Sequence, residues 1–186
     1  LIPVLKSPWL MFHVAIIVAA YGFFGISWLI GITNLSLMAF TRGTPRVARN
    51  IEELSIINEM SLIIGLALMT TGTFLGAIWA NESWGRYWGW DPKETWALVT
   101  MVVYTIVIHL RLIRKWYNPW LFSSLSVVAF ASVLMTYFGV NYFLSGMHSY
   151  GSNDQIGGIF MYIYIAVTVV LLLVALSYKS FQKLLI

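Results

Sequence analysis

Residues 163–176 read Ile-Tyr-Ile-Ala-Val-Thr-Val-Val-Leu-Leu-Leu-Val-Ala-Leu, an apolar run in which polar and apolar residues do not alternate. A strand of a membrane β-barrel shows such alternation over about ten positions, so this run predicts a membrane-spanning helix. The rest of the chain has the same character, because 60% of its 186 residues are apolar and 10% are charged. Soluble domains average about 25% charged residues, and the mean hydropathy of +0.81 excludes that class.

Further apolar stretches are also long enough, at about 20 residues, to cross a hydrocarbon core about 30 Å thick. The five predicted spans lie near residues 9–38, 56–80, 94–113, 120–144 and 156–178. The sequence therefore predicts an all-α fold, a polytopic transmembrane helical bundle of about five spans, with residues 1–186 forming a single domain. Because the first residue is Leu1 rather than Met, we expect a processed protein or a piece of a longer polypeptide.

The basic residues are unevenly divided between the two sides of the predicted bundle. One side carries eight of them, Arg42, Arg46, Arg49, Arg111, Arg114, Lys115, Lys179 and Lys183, and the other carries Lys6, Arg86 and Lys93. Basic residues concentrate on the cytoplasmic side of membrane proteins, so the N-terminus and the Trp-rich segment at residues 79–96 are predicted to be extracytoplasmic. Topology and contacts with membrane lipid explain the net charge of +4, and no nucleic acid is implied. We expect a bacterial plasma membrane, with the Trp-rich segment on the periplasmic side, in preference to a plastid thylakoid.

The chain contains no cysteine. It therefore forms no disulfide and cannot act as a thiol relay. Any sulfur chemistry that the protein supports must use the cysteines of another protein.

Residues 84–91 read Trp-Gly-Arg-Tyr-Trp-Gly-Trp-Asp, and five of the nine tryptophans lie within residues 79–96. If this segment is helical, Trp84 and Trp88 share one face because they are four residues apart. Gly85 and Gly89 would then form an adjacent strip that lets the backbone approach a flat apolar ligand. Tryptophan is also enriched at membrane interfaces, so the composition alone leaves open whether the segment is a membrane anchor or a ligand surface.

Two short motifs predict helix starts. Residues 91–94 read Asp-Pro-Lys-Glu, which places Asp91 at an N-cap, proline at the first helical position and Glu94 at the third, the pattern of a capping box. The third helix should begin there, and capping alone is enough to explain Asp91. Asn50 followed by Glu53 predicts a similar start for the second helix.

The three histidines lie at two depths of the predicted bundle. His13 is near the outer end of the first span, and His148 lies in the outer loop at residues 145–155. Each alone fits an interfacial histidine, but two neutral imidazoles beside an aromatic platform have the composition that ligates a haem iron from both faces. His109 lies 17 residues beyond Pro92, roughly 26 Å along a helix. It is either an interfacial residue or a ligand to a second haem whose other ligand this chain does not supply.

Taken together, these motifs resemble the CcsA/ResC family, the membrane cytochrome c synthases of System II. The resemblance rests on Trp84-Gly85-x-x-Trp88-x-Trp90-Asp91, the Trp-rich WWD motif of that family, and on its continuation through residues 92–98, Pro-Lys-Glu-Thr-Trp-Ala-Leu. The contexts Trp9-x-x-x-His13-Val14, His109-Leu110-Arg111 and Gly146-Met147-His148-Ser149-Tyr150 also follow the family in order, so the similarity covers essentially the whole chain. The family is larger, however, and leads us to expect more spans and a second transmembrane histidine elsewhere.

The resemblance implies haem b as both ligand and substrate. By that analogy the cofactor-binding residues are Trp84, Gly85, Trp88, Gly89, Trp90 and Asp91, and the iron ligands are His13, His148 and His109. The implied partners are a CcsB/ResB-like membrane protein, or a fused N-terminal region, and an apocytochrome c whose Cys-x-x-Cys-His segment receives haem through thioether bonds. The protein would contribute proximity and orientation rather than a catalytic acid, base or nucleophile.

Other functions share part of this pattern. A CcmC-like protein would deliver haem to a haem chaperone, and a membrane b-type cytochrome would carry electrons between histidine-ligated haems. A transporter is disfavoured by the scarcity of charges within the predicted spans. Arg86 and Lys93 would pair with haem propionates or with lipid phosphate, the latter being favoured for Lys93.

Overall fold

The computed structural model describes residues 7–113, 115–147 and 159–184. Over this part of the chain the secondary structure is entirely helical, which confirms the all-α prediction. The helices are α1 (Pro8–Phe40), α2 (Pro45–Trp84), α3 (Pro92–His109), α4 (Pro119–Leu134), α5 (Val140–Phe143) and α6 (Ile159–Leu184). A 3-10 turn, Leu110–Leu112, extends α3, and a π-helical turn, Met135–Gly139, joins α4 to α5.

Five helices in the described ranges are long and apolar enough to cross a membrane, as predicted. They are Pro8–Phe40, Pro45–Trp84, Pro92–Leu112, Pro119–Phe143 and Met161–Phe181. We call one end of the bundle the Trp end, where α2 gives way to the Trp-rich segment and α3 begins. The opposite end, the Arg end, carries Arg42, Arg46, Arg49 and Arg111. His148, Arg114 and most of the predicted loop at residues 145–155 lie outside the described residues.

Prolines mark the helix starts. Four of the helices begin at a proline, whose missing N–H and fixed φ suit the first helical position. The predicted start of α2 at Asn50 is wrong, because the helix begins at Pro45, where the Thr44 side chain accepts a hydrogen bond from the Val47 amide. Asn50 therefore lies inside the second turn of a 40-residue helix. The Thr44-Pro45 pair precedes Asn50 in the chain, so the helix begins there. Once a helix has begun, adding each further residue is favourable, and it therefore continues through Asn50.

The core lies between α1, α2, α3 and α4. The Phe24 ring of α1 stacks on the Tyr104 ring of α3 with centroids 3.8 Å apart and planes 3° from parallel. Gly65 of α2 makes room for this stack, because a Cβ there would lie 2.8 Å from Phe24 Cε1. Removing side-chain bulk at one helix thus lets aromatic packing hold three helices together, in keeping with the small residues found where membrane helices approach closely.

Buried amides tie the same helices together towards the Arg end. Asn58 of α2 accepts a hydrogen bond from Ser27 Oγ at 2.5 Å and donates one to Ser126 Oγ at 3.2 Å. One turn or more away, Asn34 of α1 donates to Ser55 Oγ at 3.2 Å and to Ser123 Oγ at 3.3 Å. Interhelical hydrogen bonds of this kind fix the register of helices whose outer surfaces are uniformly apolar.

An ion pair links α2 to the turn that follows α3. Arg111 donates to the carboxylate of Glu59, and the two side chains are 26% and 25% exposed. The guanidinium also lies 5.3 Å from the centre of the Tyr117 ring, within the range of a cation–π contact. This ion pair therefore joins α2 to the end of α3, and the aromatic contact extends it to Tyr117.

Candidate functional site

At the Trp end, α2 stops at Trp84 because Gly85 adopts a left-handed conformation with φ of 71°. Glycine adopts this conformation without steric cost, and its amide still donates to the Asn81 carbonyl at 2.9 Å. Residues 85–91 then form an irregular segment. The shared helical face expected for Trp84 and Trp88 is therefore absent, and that expectation is corrected by the helix stop at Gly85.

Gly89, the second glycine of the motif, is needed for local packing. The guanidinium of Arg86 occupies the space beside Gly89, where a Cβ would lie 1.1 Å from Nη1. The Gly89 amide donates to Glu94 Oε2 at 2.7 Å. The glycine strip expected from a helical segment does not form, because one glycine ends a helix and the other is covered by an arginine.

The capping box predicted at the start of α3 is present. Asp91 Oδ2 accepts from the Lys93 amide at 3.1 Å, and Glu94 Oε2 accepts from the Asp91 amide at 3.2 Å. Trp90, just before the cap, has a positive φ of 56°, which is rare for a bulky residue. The start of α3 thus holds the end of the Trp-rich segment in a conformation that the chain would not adopt alone.

Asp91 also fixes a second loop. Its Oδ1 accepts from the Met147 amide at 2.7 Å, and its side chain is buried, with the residue only 7% exposed. Gly146 packs directly against this carboxylate, since a Cβ at Gly146 would lie 2.6 Å from Oδ1. One carboxylate therefore ties the Trp-rich segment to the chain that follows α5, immediately before His148.

The tryptophans form two edge-to-face pairs. Trp79, which is 2% exposed, meets Trp84 with ring centroids 4.7 Å apart at 69°. Trp88 meets Trp90 at 5.7 Å and 90°, and Trp90 is 69% exposed. Aromatic quadrupoles favour this edge-to-face geometry. Each pair also combines a more buried ring with a more exposed one.

A cavity of about 340 Å³ opens beneath these rings, and we call it the Trp-end cavity. Its size lies within the range of about 300–1,000 Å³ typical of small-molecule sites. Apolar and aromatic side chains dominate the lining, with few polar groups among them: Leu10, His13, Val14, Ile17, Val18, Tyr21, Met69, Thr73, Gly76, Ala77, Trp79, Ala80, Tyr87, Trp88, Lys93, Glu94, Ala97, Thr136 and Tyr137. Among the described residues, the lining includes Trp79 and Trp88, whereas Trp84 and Trp90 pack behind those two rings.

His13 lines this cavity from α1. Its Nδ1 lies 2.7 Å from the Gly72 carbonyl oxygen of α2. A carbonyl oxygen only accepts hydrogen bonds, so Nδ1 must carry the proton. In the neutral ring Nε2 then holds the lone pair, which is the state that binds a metal ion.

His109 lies at the far end of α3, as the spacing predicted. Its Nδ1 is 2.8 Å from the Thr105 carbonyl oxygen of its own helix, and its side chain is exposed. The described part of the chain holds no group of three or more His, Asp or Glu side chains suited to a metal ion. A metal with few protein ligands, such as haem iron, is compatible with isolated histidines of this kind.

The two cations of the Trp-rich region have different surroundings. Lys93 lines the cavity and donates from Nζ to Asn141 Oδ1 of α5 at 3.1 Å. Arg86 donates to the Met147 sulfur at 2.7 Å and lies at the surface. Lys93 thus joins α3 to α5 and also lines the cavity, and its predicted partner, haem propionate or lipid phosphate, stays a prediction.

Sequence reasoning missed two tyrosines in the cavity. Tyr21 and Tyr137 meet edge to face with centroids 6.3 Å apart at 80°. Tyr21 was detectable, since His13, Ile17 and Tyr21 follow one another at four-residue spacing on one face of α1. Tyr137 was not, because it lies in the π-helical turn Met135–Gly139, whose extra residue per turn redirects side chains. Such turns are frequent at functional sites.

The amino-acid sequence is similar to proteins of cytochrome c assembly. A family model described as cytochrome c assembly protein matches residues 1–148. Protein NrfI of Wolinella succinogenes is 52% identical over 158 residues, which cover 84% of this chain and 17% of that protein. The cytochrome c biogenesis proteins CcsA of Chlamydomonas reinhardtii and Guillardia theta are 41% and 36% identical, over 81% of this chain in each case. The chain spans 43% and 56% of the length of those two relatives.

Proposed function

The chain belongs to the cytochrome c assembly protein family, of CcsA type, and on that premise we propose that it binds haem in the Trp-end cavity for covalent attachment to an apocytochrome c. The observation that carries this proposal is the position of His13. This imidazole lines an aromatic cavity, and its Nδ1 is held by a backbone carbonyl. Metal-ligating histidines commonly have this arrangement.

The donor set of the cavity fits a haem. Apolar and aromatic side chains suit the faces of the porphyrin, and the imidazole of His13 supplies one axial ligand. Lys93 supplies a cation for a propionate. A shallower groove shares Tyr87 and Trp88 with the cavity and is also lined by Phe74 and Ile78, so the apolar surface continues beyond the cavity itself. Neither Trp84 nor Trp90 is needed at the cavity wall, and both would act by supporting the neighbouring rings.

The remaining histidines complete the proposal. His148 follows Met147, whose amide Asp91 holds, and it would be the second axial ligand at the Trp end. His109 would ligate a haem at the Arg end together with a histidine from a CcsB/ResB-like partner or from another part of the same polypeptide. Haem b would thus bind first at the Arg end and be attached to the apocytochrome at the Trp end. The Trp end would face the periplasm, or the corresponding compartment in a plastid.

Covalent attachment requires thiols that this chain does not contain. In each attachment a cysteine of the apocytochrome adds its S–H bond across a haem vinyl group. A carbon–sulfur bond forms, the proton passes to the other vinyl carbon, and no net oxidation occurs. The chain would hold the haem in a fixed orientation and exclude water. The reaction then needs less loss of translational and rotational entropy and less solvent reorganisation, so its barrier is lower. The histidine of the Cys-x-x-Cys-His segment would replace one of the protein ligands.

Co-expression tests this function directly. The full-length protein is expressed with its membrane partners and a Cys-x-x-Cys-His apocytochrome in cells that lack their own assembly proteins, and covalent haem is measured on denaturing gels. His13→Ala should lower the yield by more than about 10–100-fold, because that range already follows loss of a group that only orients a metal ligand. Trp88→Ala should lower it about 2–10-fold, as expected for one aromatic contact. Trp116→Ala is the matched control, because that ring is 61% exposed and lies at the Arg end.

Two results would overturn the proposal. One is a complete partner set that yields no covalent cytochrome, which would leave haem delivery or electron transfer as the function. The other is an equal yield from the His13→Ala and Trp116→Ala variants, which would remove His13 from the site.

A further inference from the structure

His13 is seated in a niche formed by two glycines of α2. Its Nδ1 approaches the Gly72 carbonyl oxygen at 2.7 Å. A Cβ built on Gly76 would lie 2.5 Å from Cε1, 2.6 Å from Nδ1 and 3.2 Å from Nε2 of the same ring. The imidazole therefore occupies the volume that a side chain at position 76 would fill.

The spacing of the two glycines explains why a helix carbonyl is available at all. In an α-helix the carbonyl of residue 72 already accepts the amide of residue 76, and one lone pair remains. Side chains lean towards the helix N-terminus, so a side chain at position 76 would cover that carbonyl. With glycine there, the second lone pair is open to a donor from α1.

The other close glycines of α2 do not share this property. Gly65 is packed against Phe24, and Gly72 is packed against Ile17, with a built Cβ 2.8 Å and 2.7 Å from the nearest ring or side-chain carbon. Those contacts set the distance between α1 and α2. Only at Gly76 does the neighbouring side chain carry a hydrogen-bonding and metal-ligating group.

His109 provides an internal comparison. Its Nδ1 also binds a carbonyl, but that carbonyl belongs to Thr105 of the same helix, and the ring is exposed. Its orientation is set by one helix, whereas that of His13 is set by two. Of these two described histidines, His13 is the one whose tautomer depends on how α1 packs against α2.

We propose that Gly76 is a positioning residue, which by lacking a side chain lets the Gly72 carbonyl fix the His13 ring with its proton on Nδ1 and its lone pair on Nε2. This inference rests on the proposed function only in assigning Nε2 to iron. The tautomer itself is a property of the haem-free protein. Haem-ligating histidines are oriented in this way by carbonyl or carboxylate acceptors, and here the acceptor is exposed by a missing Cβ.

The tautomer is measured first, without haem. The full-length protein is labelled with ¹⁵N-histidine, and the ring nitrogen resonances of His13 are assigned by their loss in His13→Ala. We expect a protonated Nδ1 and an unprotonated Nε2 in the native chain. Gly76→Ala should give the other tautomer or a mixture. A native ring protonated on Nε2, or a Gly76→Ala ring that keeps the native tautomer, would overturn the inference.

Two glycine variants serve as controls for packing. Gly65→Ala disturbs the contact between α1 and α2 at Phe24 without reaching His13, and Gly25→Ala adds a methyl group with no atom within 4 Å. Both should keep the native tautomer. If Gly65→Ala changes it as much as Gly76→Ala does, general packing rather than the niche sets the ring, and the inference is wrong. The native-chain measurement stands even if the Gly76→Ala protein folds poorly.

Haem affinity then separates the inference from the function on which it rests. Gly76→Ala should weaken haem binding about 10–100-fold, the usual effect of losing the group that orients a metal ligand, while Gly65→Ala and Gly25→Ala remain near the native value. If His13→Ala leaves haem affinity unchanged, the proposed function fails whatever the tautomer. If His13→Ala weakens binding and Gly76→Ala does not, the function stands and the positioning role is refuted.

Discussion

Replacing Asp91 should destabilise the Trp end through two separate hydrogen bonds. Its Oδ2 caps α3 by accepting from the Lys93 amide, and its Oδ1 accepts from the Met147 amide at 2.7 Å. Loss of an N-cap costs about 0.5–2 kcal/mol. Met147 is 43% exposed, so its amide can bond to water instead, and loss of this hydrogen bond costs about 0.5–1.5 kcal/mol. Because the carboxylate is itself buried, removing its desolvation cost offsets part of this sum, so we expect Asp91→Ala to lower the free energy of unfolding by about 1–3 kcal/mol.

Asp91→Asn separates the two bonds. Asparagine caps a helix about as well as aspartate, but it has one side-chain oxygen, so its NH₂ group would face the Met147 amide with no acceptor between them. The Asn variant should therefore keep the cap and lose the link to residues 144–147. We expect it to be less destabilised than Asp91→Ala by about 1 kcal/mol, the typical contribution of a cap.

The assay is unfolding of the purified full-length protein in mixed micelles, followed by tryptophan fluorescence, together with hydrogen exchange in a peptide that contains Met147. Both Asp91 variants should speed exchange there. Glu53→Ala, an exposed carboxylate at the Arg end, is the control and should change neither quantity. An Asp91→Ala protein within about 0.5 kcal/mol of the native one, with unchanged exchange at Met147, would refute the reasoning.

Three further tests of the local arguments use the same unfolding assay. Gly85→Ala should cost about 1–2 kcal/mol, because alanine is strained at φ of 71°, whereas Gly25→Ala, within a helix and free of clashes, should be neutral or stabilising; equal effects would contradict the left-handed cap. A double-mutant cycle on Glu59→Gln and Arg111→Met should give a coupling of about 0.2–1 kcal/mol that weakens in salt; a coupling of zero at low salt would show that the pair does not form. Asn58→Leu should cost about 0.6–1.7 kcal/mol for each of its two interhelical bonds; a variant as stable as the native protein would show that the amide does not join the helices.

Local signals determined most of the fold. The apolar spans were predictable because each is a continuous run long enough for a membrane, and backbone hydrogen bonding leaves the helix as its only form. The capping box at Asp91 and Glu94 was also predictable, since it depends on residues three apart. The start at Asn50 was wrong for a related reason, as the stronger Thr44-Pro45 signal stands earlier in the chain.

The candidate site depends more on tertiary structure. The four-residue spacing of Trp84 and Trp88 suggested a shared face, but the left-handed Gly85 breaks the helix between them. The sequence favours lipid phosphate as the partner of Lys93, and only the packing of α5 beside α3 shows that this side chain also binds Asn141. The niche around His13 requires knowing which residues of α2 face α1, and no local pattern in the sequence provides that.

The most direct test of the central claim is the absorption spectrum of the purified, haem-loaded full-length protein. If His13 is an axial ligand in the Trp-end cavity, His13→Ala should lower haem occupancy or convert a six-coordinate, low-spin spectrum to a five-coordinate one. Trp116→Ala, purified in parallel, should match the native protein. A His13→Ala spectrum and haem content identical to the native values would contradict the account.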